Sequence, residues 1–320
     1  MQRNMRRPLH RQSSGGIGFL VALFLVLVVA LLTWSQRQAI YDWSRLRDYE
    51  PPDQIAQLAF DTTMNNSARQ LFYVHHPQLN DREDFNANCS GFGEHTIVLG
   101  CYVSHQGIYL FDIDDPRLQG VEQVTAAHEM LHAAYDRLST SERTHVNDLT
   151  EEAFATVADE RVKQSIANYR KREPGVVPNE LHSIIATEVR NIPPELEAYY
   201  KKYFTDRSAI VAFSEKYESL LTARQNKASS LEVQIAGLKQ EIEQLEATLA
   251  TQQRNLERDR PTVNTQPEIT AFNARVITYN HDVRTLNNMI SQYNALIKEY
   301  KEVALEAQDL YKALDSRPTL

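Results

Sequence analysis

Cysteine is nearly absent. Cys89 and Cys101 are the only two in 320 residues, and no C-x-x-C pair exists, so a cysteine-built zinc knuckle has no basis. Glycine and proline number 10 and 12, and the apolar fraction of 42% is ordinary, which fits a globular chain. No basic run interleaves with aromatics and the net charge is −8, so nucleic acid is not an expected partner.

Charge is missing altogether from one stretch. "IGFLVALFLVLVVALLTW", residues 17–34, has 18 residues without a charge. As a helix it would span about 27 Å, close to the hydrocarbon thickness of a bilayer. The preceding tail, residues 1–16, carries Arg3, Arg6, Arg7 and Arg11 and no acid. The positive-inside bias then puts the N-terminus in the cytoplasm and the rest of the chain outside, on a single-pass anchor in the cell membrane. A cleaved signal peptide is the competing reading, but its apolar region is shorter and ends in small residues, whereas Trp34 ends this one. Two nearby cysteines outside the cytoplasm are expected to pair as a disulfide. A thiolate zinc site with His95 or His105 is the alternative.

Residues 35–68 read as a helical linker, with Pro51 and Pro52 breaking it and Asp53 able to start a helix to about Asn65. Strand patterns follow at residues 71–74, 96–99 and 108–111. "SHQG" joins the last two as a hairpin in a small antiparallel sheet. A helix begins near Val121, and further helices fill residues 141–204, broken by "REPGVVPNE", after which Asn179 can cap a helix from Glu180. From residue 209 onward Leu231, Ile235, Leu238, Ile242, Leu245 and Leu249 step by four and three. Pro261 and Pro267 interrupt this, and Phe272, Val276, Tyr279, Val283 and Leu286 resume it. Two such runs predict an antiparallel coiled-coil hairpin over residues 209–320, with arms of about 45 residues, roughly 70 Å. The fold class is α+β, mostly helical.

Chemistry concentrates in "VTAAHEMLHAAYDRLS". His128 and His132 lie four apart, so on a helix both imidazoles share a face, and Glu129 is one step round it. Val124, Ala127, Leu131 and Leu138 form the apolar stripe that the histidines border. Asp136, one turn beyond His132, could orient it. A metal needs a third ligand. Leu181, Ile184 and Ile185 begin a core stripe whose next place is Glu188, and a carboxylate there is costly without a cation beside it. A metal would answer that cost, as would Arg161 or Arg190. Glu180 starts the same helix, where an acid already suits the dipole, and Glu152 is the other alternative.

H-E-x-x-H on a helix, after strands and before a later glutamate, resembles the gluzincin branch of zinc metallopeptidases. "NELHSIIATEVRNIPPELEAYYKKYF" further resembles a bacterial membrane-anchored group of that branch. The resemblance covers about residues 72–204 and implies a zincin-like domain, taken here as residues 69–208. It implies Zn²⁺ on His128, His132 and a glutamate, with Glu129 as general base and a peptide or protein substrate in the cell envelope. Many gluzincins carry an acid four residues after the ligand glutamate. Here Ile192, Ile184 and Thr156 stand at that distance from Glu188, Glu180 and Glu152.

An oxyanion donor is also required, and His182 and Tyr135 are the candidates. The strand at residues 108–111 is expected to take extended substrate along its edge. A contrasting reading makes the protein an envelope scaffold. In it the coil binds a protein partner or a second copy, and the zincin-like part is inactive or structural. A third keeps the metal-activated water but for a substrate other than a peptide.

Overall fold

A computed structural model describes residues 15–89 and 98–317. The basic tail through residue 14, together with His95, Thr96 and Ile97, lies outside the described residues. The first helix, α1 (Gly15–Ser35), leaves its apolar side chains from Phe19 to Trp34 exposed. Among the described residues no single helix is long and apolar enough to cross a membrane. Phe19–Ser35 together with the next helix, α2 (Arg37–Leu46), meets that requirement as a pair bent by 62°.

The chain between Asp53 and His75 forms two helices, α3 (Asp53–Asp61) and α4 (Asn66–Val74). The strand expected at residues 71–74 is the end of α4. Ala68, Leu71 and Phe72 are buried at helical spacing, and the Asn65 side chain caps the helix by accepting from the Ala68 N–H at 3.1 Å. A four-residue apolar run reads the same in either period, so the cap upstream decided it.

The sheet is mixed. Strands β1 (Gln78–Asn80), β2 (Gly100–Val103) and β3 (Gly107–Phe111) lie in the order β1-β3-β2, with β1 parallel and β2 antiparallel to β3. Gln78 pairs with Tyr109, and Cys101 faces the same residue from the other side. Three residues of β1 carry no readable alternation, which is why an all-antiparallel sheet was expected. Val98 and Leu99 only lead into β2. β3 is central, so both its edges are occupied, and β2 is an edge strand. Helix α5 (Arg82–Asn88) delivers Cys89 to a disulfide with Cys101, as the cysteine count predicted.

Helix α6 (Val121–Asp136) starts after Gly120, whose φ of 113° is left-handed and whose Cα faces Phe213 too closely for a side chain. Helices α7 (Thr140–Ala155), α8 (Glu160–Arg172), α9 (Val177–Glu188) and α10 (Pro194–Tyr200) follow. Asn179 does not cap α9, which begins two residues earlier. Pro178 is at home in its first turn, where an N–H has no helical partner to lose.

The two long helices, α11 (Arg207–Asp259) and α12 (Gln266–Leu314), make the expected hairpin. Leu231 and Leu249 are buried in its seam, and Arg224–Glu306 and Lys227–Glu299 pair across it at 2.9 and 2.7 Å. The arms are longer than the heptads suggested, 53 and 49 residues, because their bases belong to the core. Ile210 and Tyr217 of α11 and Leu310 and Leu314 of α12 are buried with α6 and α9 residues in one cluster. The expected division at residue 209 therefore falls inside a helix that serves both parts.

Arg207 opens α11 and closes α9. Only 4% exposed, it donates to the carbonyls of Ala186, Val189 and Arg190 at 2.7–3.0 Å and to Glu197 at 2.9 Å. Those carbonyls lie in the last turn of α9 and just past it, where no helical N–H follows to pair them. Arg207→Met keeps the bulk but strands them, so a loss of about 3 kcal/mol is expected in chemical denaturation. A change under about 0.5 kcal/mol would show that Arg207 is not the clasp described here.

Candidate metal centre

Helices α6 and α9 pack against each other in the core, with small buried residues on both. Ala126, Ala127, Ala133 and Ala134 of α6 and Ser183 and Ala186 of α9 are all buried. This packing brings His128, His132 and Glu180 together. One ligand atom from each lies within 4.8 Å of the others. Nε2 of His128 is 3.6 Å from one Glu180 oxygen, and Nε2 of His132 is 3.6 Å from the other. At that length neither contact is a hydrogen bond. Ligands about 2.0–2.1 Å from a tetrahedral ion stand roughly 3.4 Å from one another, so the spacing suits an ion at the centre. Oε2 of Glu180 is buried without a hydrogen-bond partner, a costly state that a cation would relieve.

Two of the three candidate ligands, His132 and Glu180, are held from behind. The Ser183 hydroxyl lies 3.3 Å from Nδ1 of His132, leaving Nε2 toward the centre. Tyr169 of α8 hydrogen-bonds to the Glu180 carboxylate. Burial pushes the Glu180 carboxyl upward, but the two imidazoles and the Tyr169 hydroxyl outweigh it, and the net shift is downward. For Tyr169, burial and then the carboxylates of Glu180 and Glu129 push the phenol well above its ordinary value.

Glu129 is 5% exposed. Burial lifts its carboxyl to about 7. His132 and the backbone N–H of Tyr102 oppose the rise, and Glu180 adds to it. Strand β2 runs so close that Gly100 has no room for a side chain. A Cβ there would meet Cγ2 of Thr125 at 2.5 Å and Oε1 of Glu129 at 2.9 Å. Gly100, Tyr102, Tyr169 and the His-Glu-His group line a cavity of about 220 Å³.

Of the residues read from sequence, His128, Glu129, His132 and the alternative Glu180 meet in this cavity. Glu188 does not. Its carboxylate takes a 2.6 Å hydrogen bond from Arg161, which also contacts Glu218 of α11 at 3.2 Å. The argument that a buried acid needs a cation held, but the cation is a guanidinium. Glu152 is exposed on α7.

His182 and Tyr135 are packed elsewhere. His182 is fully buried, with Nε2 3.0 Å from the Tyr199 hydroxyl and the Tyr135 ring 5.5 Å away. Burial, and then the two nearby imidazoles, lower its pKa to about 3. Tyr135 donates to Asn147 at 3.0 Å. Asp136 accepts from the Tyr102 hydroxyl at 3.2 Å, so Ser183, rather than Asp136, sits beside His132. Gly100, Tyr102, Tyr169 and Ser183 were not anticipated. Only Ser183, one turn from Glu180 on the same helix, left a trace in the sequence.

The chain matches no protein-family model, no curated protein and no solved structure. The site is therefore argued from its own geometry.

With Zn²⁺ as probe, competition against a coloured chelator should separate the two glutamates. Losing an outer-shell partner already costs 10–100-fold, so Glu180→Ala should weaken binding by roughly 100-fold or more. Glu188→Ala should leave it unchanged. The reverse result would return the third ligand to Glu188.

Proposed function

We propose that the protein is a membrane-anchored, extracytoplasmic zinc-dependent peptidase. One observation carries the reading. Two imidazoles and an unpartnered buried carboxylate oxygen converge on a point beside a second buried carboxylate, inside a cavity. The His₂Glu donor set suits zinc among divalent ions, and three protein ligands leave a fourth position for water or substrate. A zinc ion bound there supplies Lewis acidity and lowers the pKa of its water to about 7.

The chain's own residues do the rest. Glu129 takes a proton at its carboxylate and passes it to the leaving nitrogen. Water adds its hydroxyl to the carbonyl carbon, the C–N bond breaks, and the freed amine leaves with the proton. Tyr169 replaces His182 and Tyr135 as oxyanion donor. It lines the cavity, and the rise in its pKa keeps its proton in place at neutral pH. Its hydroxyl is bonded to the Glu180 carboxylate, as the Tyr102 hydroxyl is to Asp136, and a cation taken up by Glu180 would release the Tyr169 hydroxyl toward the cavity. An extended substrate passes along β2 rather than β3, because β2 walls the cavity and, among the described residues, has a strand on one side only. The exposed apolar α1 is the anchor, with the arginine-rich tail on the cytoplasmic side.

Glu129→Gln should keep full Zn²⁺ content and lose hydrolysis of a mixed peptide library by about 10³-fold. Wild type without zinc, or a variant as active as wild type, would remove the peptidase reading. Gly100→Ala pushes on the Glu129 carboxylate without touching a ligand. It should cost about tenfold or more in kcat while Zn²⁺ affinity stays within about twofold. Unchanged kcat would show that the close approach of β2 has no part in catalysis.

A further inference from the structure

The membrane helix and the metal domain are joined without slack. Only Gln36 separates α1 from α2, and α2 is fastened to the domain at three places. Arg137 makes two bonds to Asp42 at 2.8 and 2.9 Å. Nε of Arg45 donates to the Val74 carbonyl at 3.0 Å. The His76 ring meets the Arg45 carbonyl at 2.8 Å. A domain held this way has a fixed height above the end of α1.

A second cavity, of about 860 Å³, lies in that junction. Trp34, Ser35 and Arg37 line it from the membrane side, and Tyr102, Asp136 and His75 from the domain side. Tyr102 also lines the metal cavity, so the two spaces share this residue in their walls. Asp136 is one helical turn past His132, about 6 Å along the axis. The metal centre thus sits roughly one turn from the space that opens at the end of α1.

His75 forms part of the domain-side wall. It is 4% exposed, and its two ring nitrogens are buried away from the cavity without a hydrogen-bond partner. Burial and then the Arg137 charge lower its pKa to about 4, Asp42 pulls the other way, Arg45 and His105 the same way, and the ring is neutral.

We infer that the substrate is the membrane-proximal segment of another membrane-tethered polypeptide, which enters through the cavity at the end of α1 and is cut within a few residues of the bilayer. This rests on the peptidase and anchor reading above. The cleavage is the hydrolysis already balanced there, with water as the only co-reactant.

The test uses the full chain, zinc-loaded, in nanodiscs. Its substrate is a single-span polypeptide followed by a mixed-sequence segment, and the cut positions are mapped by mass spectrometry. The same segment is offered as a free peptide. Cuts should be enriched about tenfold within the first ten or so residues after the span, since tethering there raises the local concentration at the cleft. A Gly-Ser insertion of about twelve residues between Gln36 and Arg37, reaching roughly 20 Å, should abolish that enrichment and leave free-peptide cleavage as it was. Cuts spread evenly along the segment, cuts of free peptide only, or an insertion without effect would overturn the inference. If wild type cuts neither substrate beyond the Glu129→Gln level, the peptidase reading itself falls, and this inference falls with it.

Discussion

Two carboxylates on one twelve-residue helix have to be compensated in different ways, and the rest of the domain is arranged around that need. Glu180 and Glu188 are eight residues apart on α9, about 12 Å along its axis. Both side chains are only 13% exposed. At the far end Arg161 reaches Glu188 from α8 and ties it to Glu218 on the hairpin. At the near end no guanidinium arrives. Two imidazoles stand there instead, 3.6 Å from the carboxylate, and one Glu180 oxygen is left unpaired. That asymmetry marks the near end as the place for a cation.

The packing that creates this asymmetry depends on the hairpin bases. On α6, His132 and Tyr135 face Ser183 and His182 of α9. Arg207, the first residue of α11, holds the carbonyls of Ile185 and Ala186 in the last turn of α9 and of Val189 and Arg190 just past it, and so fixes how far α9 can slide along α6. A slide by one turn would carry Glu180 about 5 Å from the histidines, out of ligand range. The hairpin is therefore more than an appendage, because its base sets the register of the helix that brings the third ligand.

Much of this was readable in the sequence, and the misses share a cause. The long apolar helix, the hairpin, the disulfide, α6 and the His-Glu-x-x-His face all follow from local periodicity or spacing, which the chain carries within a few turns. The choice between Glu180 and Glu188 is not local. Both lie on the helix face that packs inward, and only the direction in which α9 crosses α6 decides which end meets the histidines. Glu188 was favoured because its place in the stripe seemed to demand a cation, and Arg161, 27 residues away in sequence, supplied one. Strand β1 escaped notice for a similar reason. Three residues have no pattern of their own, and Gln78 to Asn80 are a strand only because β3 offers them an edge. His182 and Tyr135 were placed near the motif correctly, but among tyrosines that bury them.

The last dependence runs through β2. Four residues at the edge of a three-stranded sheet are too short to hold position by ladder bonds alone. Four outside ties do it. Cys101 is bonded to Cys89, and the Tyr102 N–H goes to Glu129. The Tyr102 hydroxyl goes to Asp136, and the Val98 carbonyl accepts from Ser316, just past the end of α12, at 2.5 Å. These ties come from α5, from α6 and from the base of the hairpin just past α12. They converge on a strand whose backbone passes so near Glu129 that only glycine fits at residue 100. A strand free to shift would let water reach Glu129, and the carboxyl would return toward its ordinary value. Pinned from three sides, β2 keeps Glu129 buried beside the candidate metal centre, which is what the proton carrier proposed above requires.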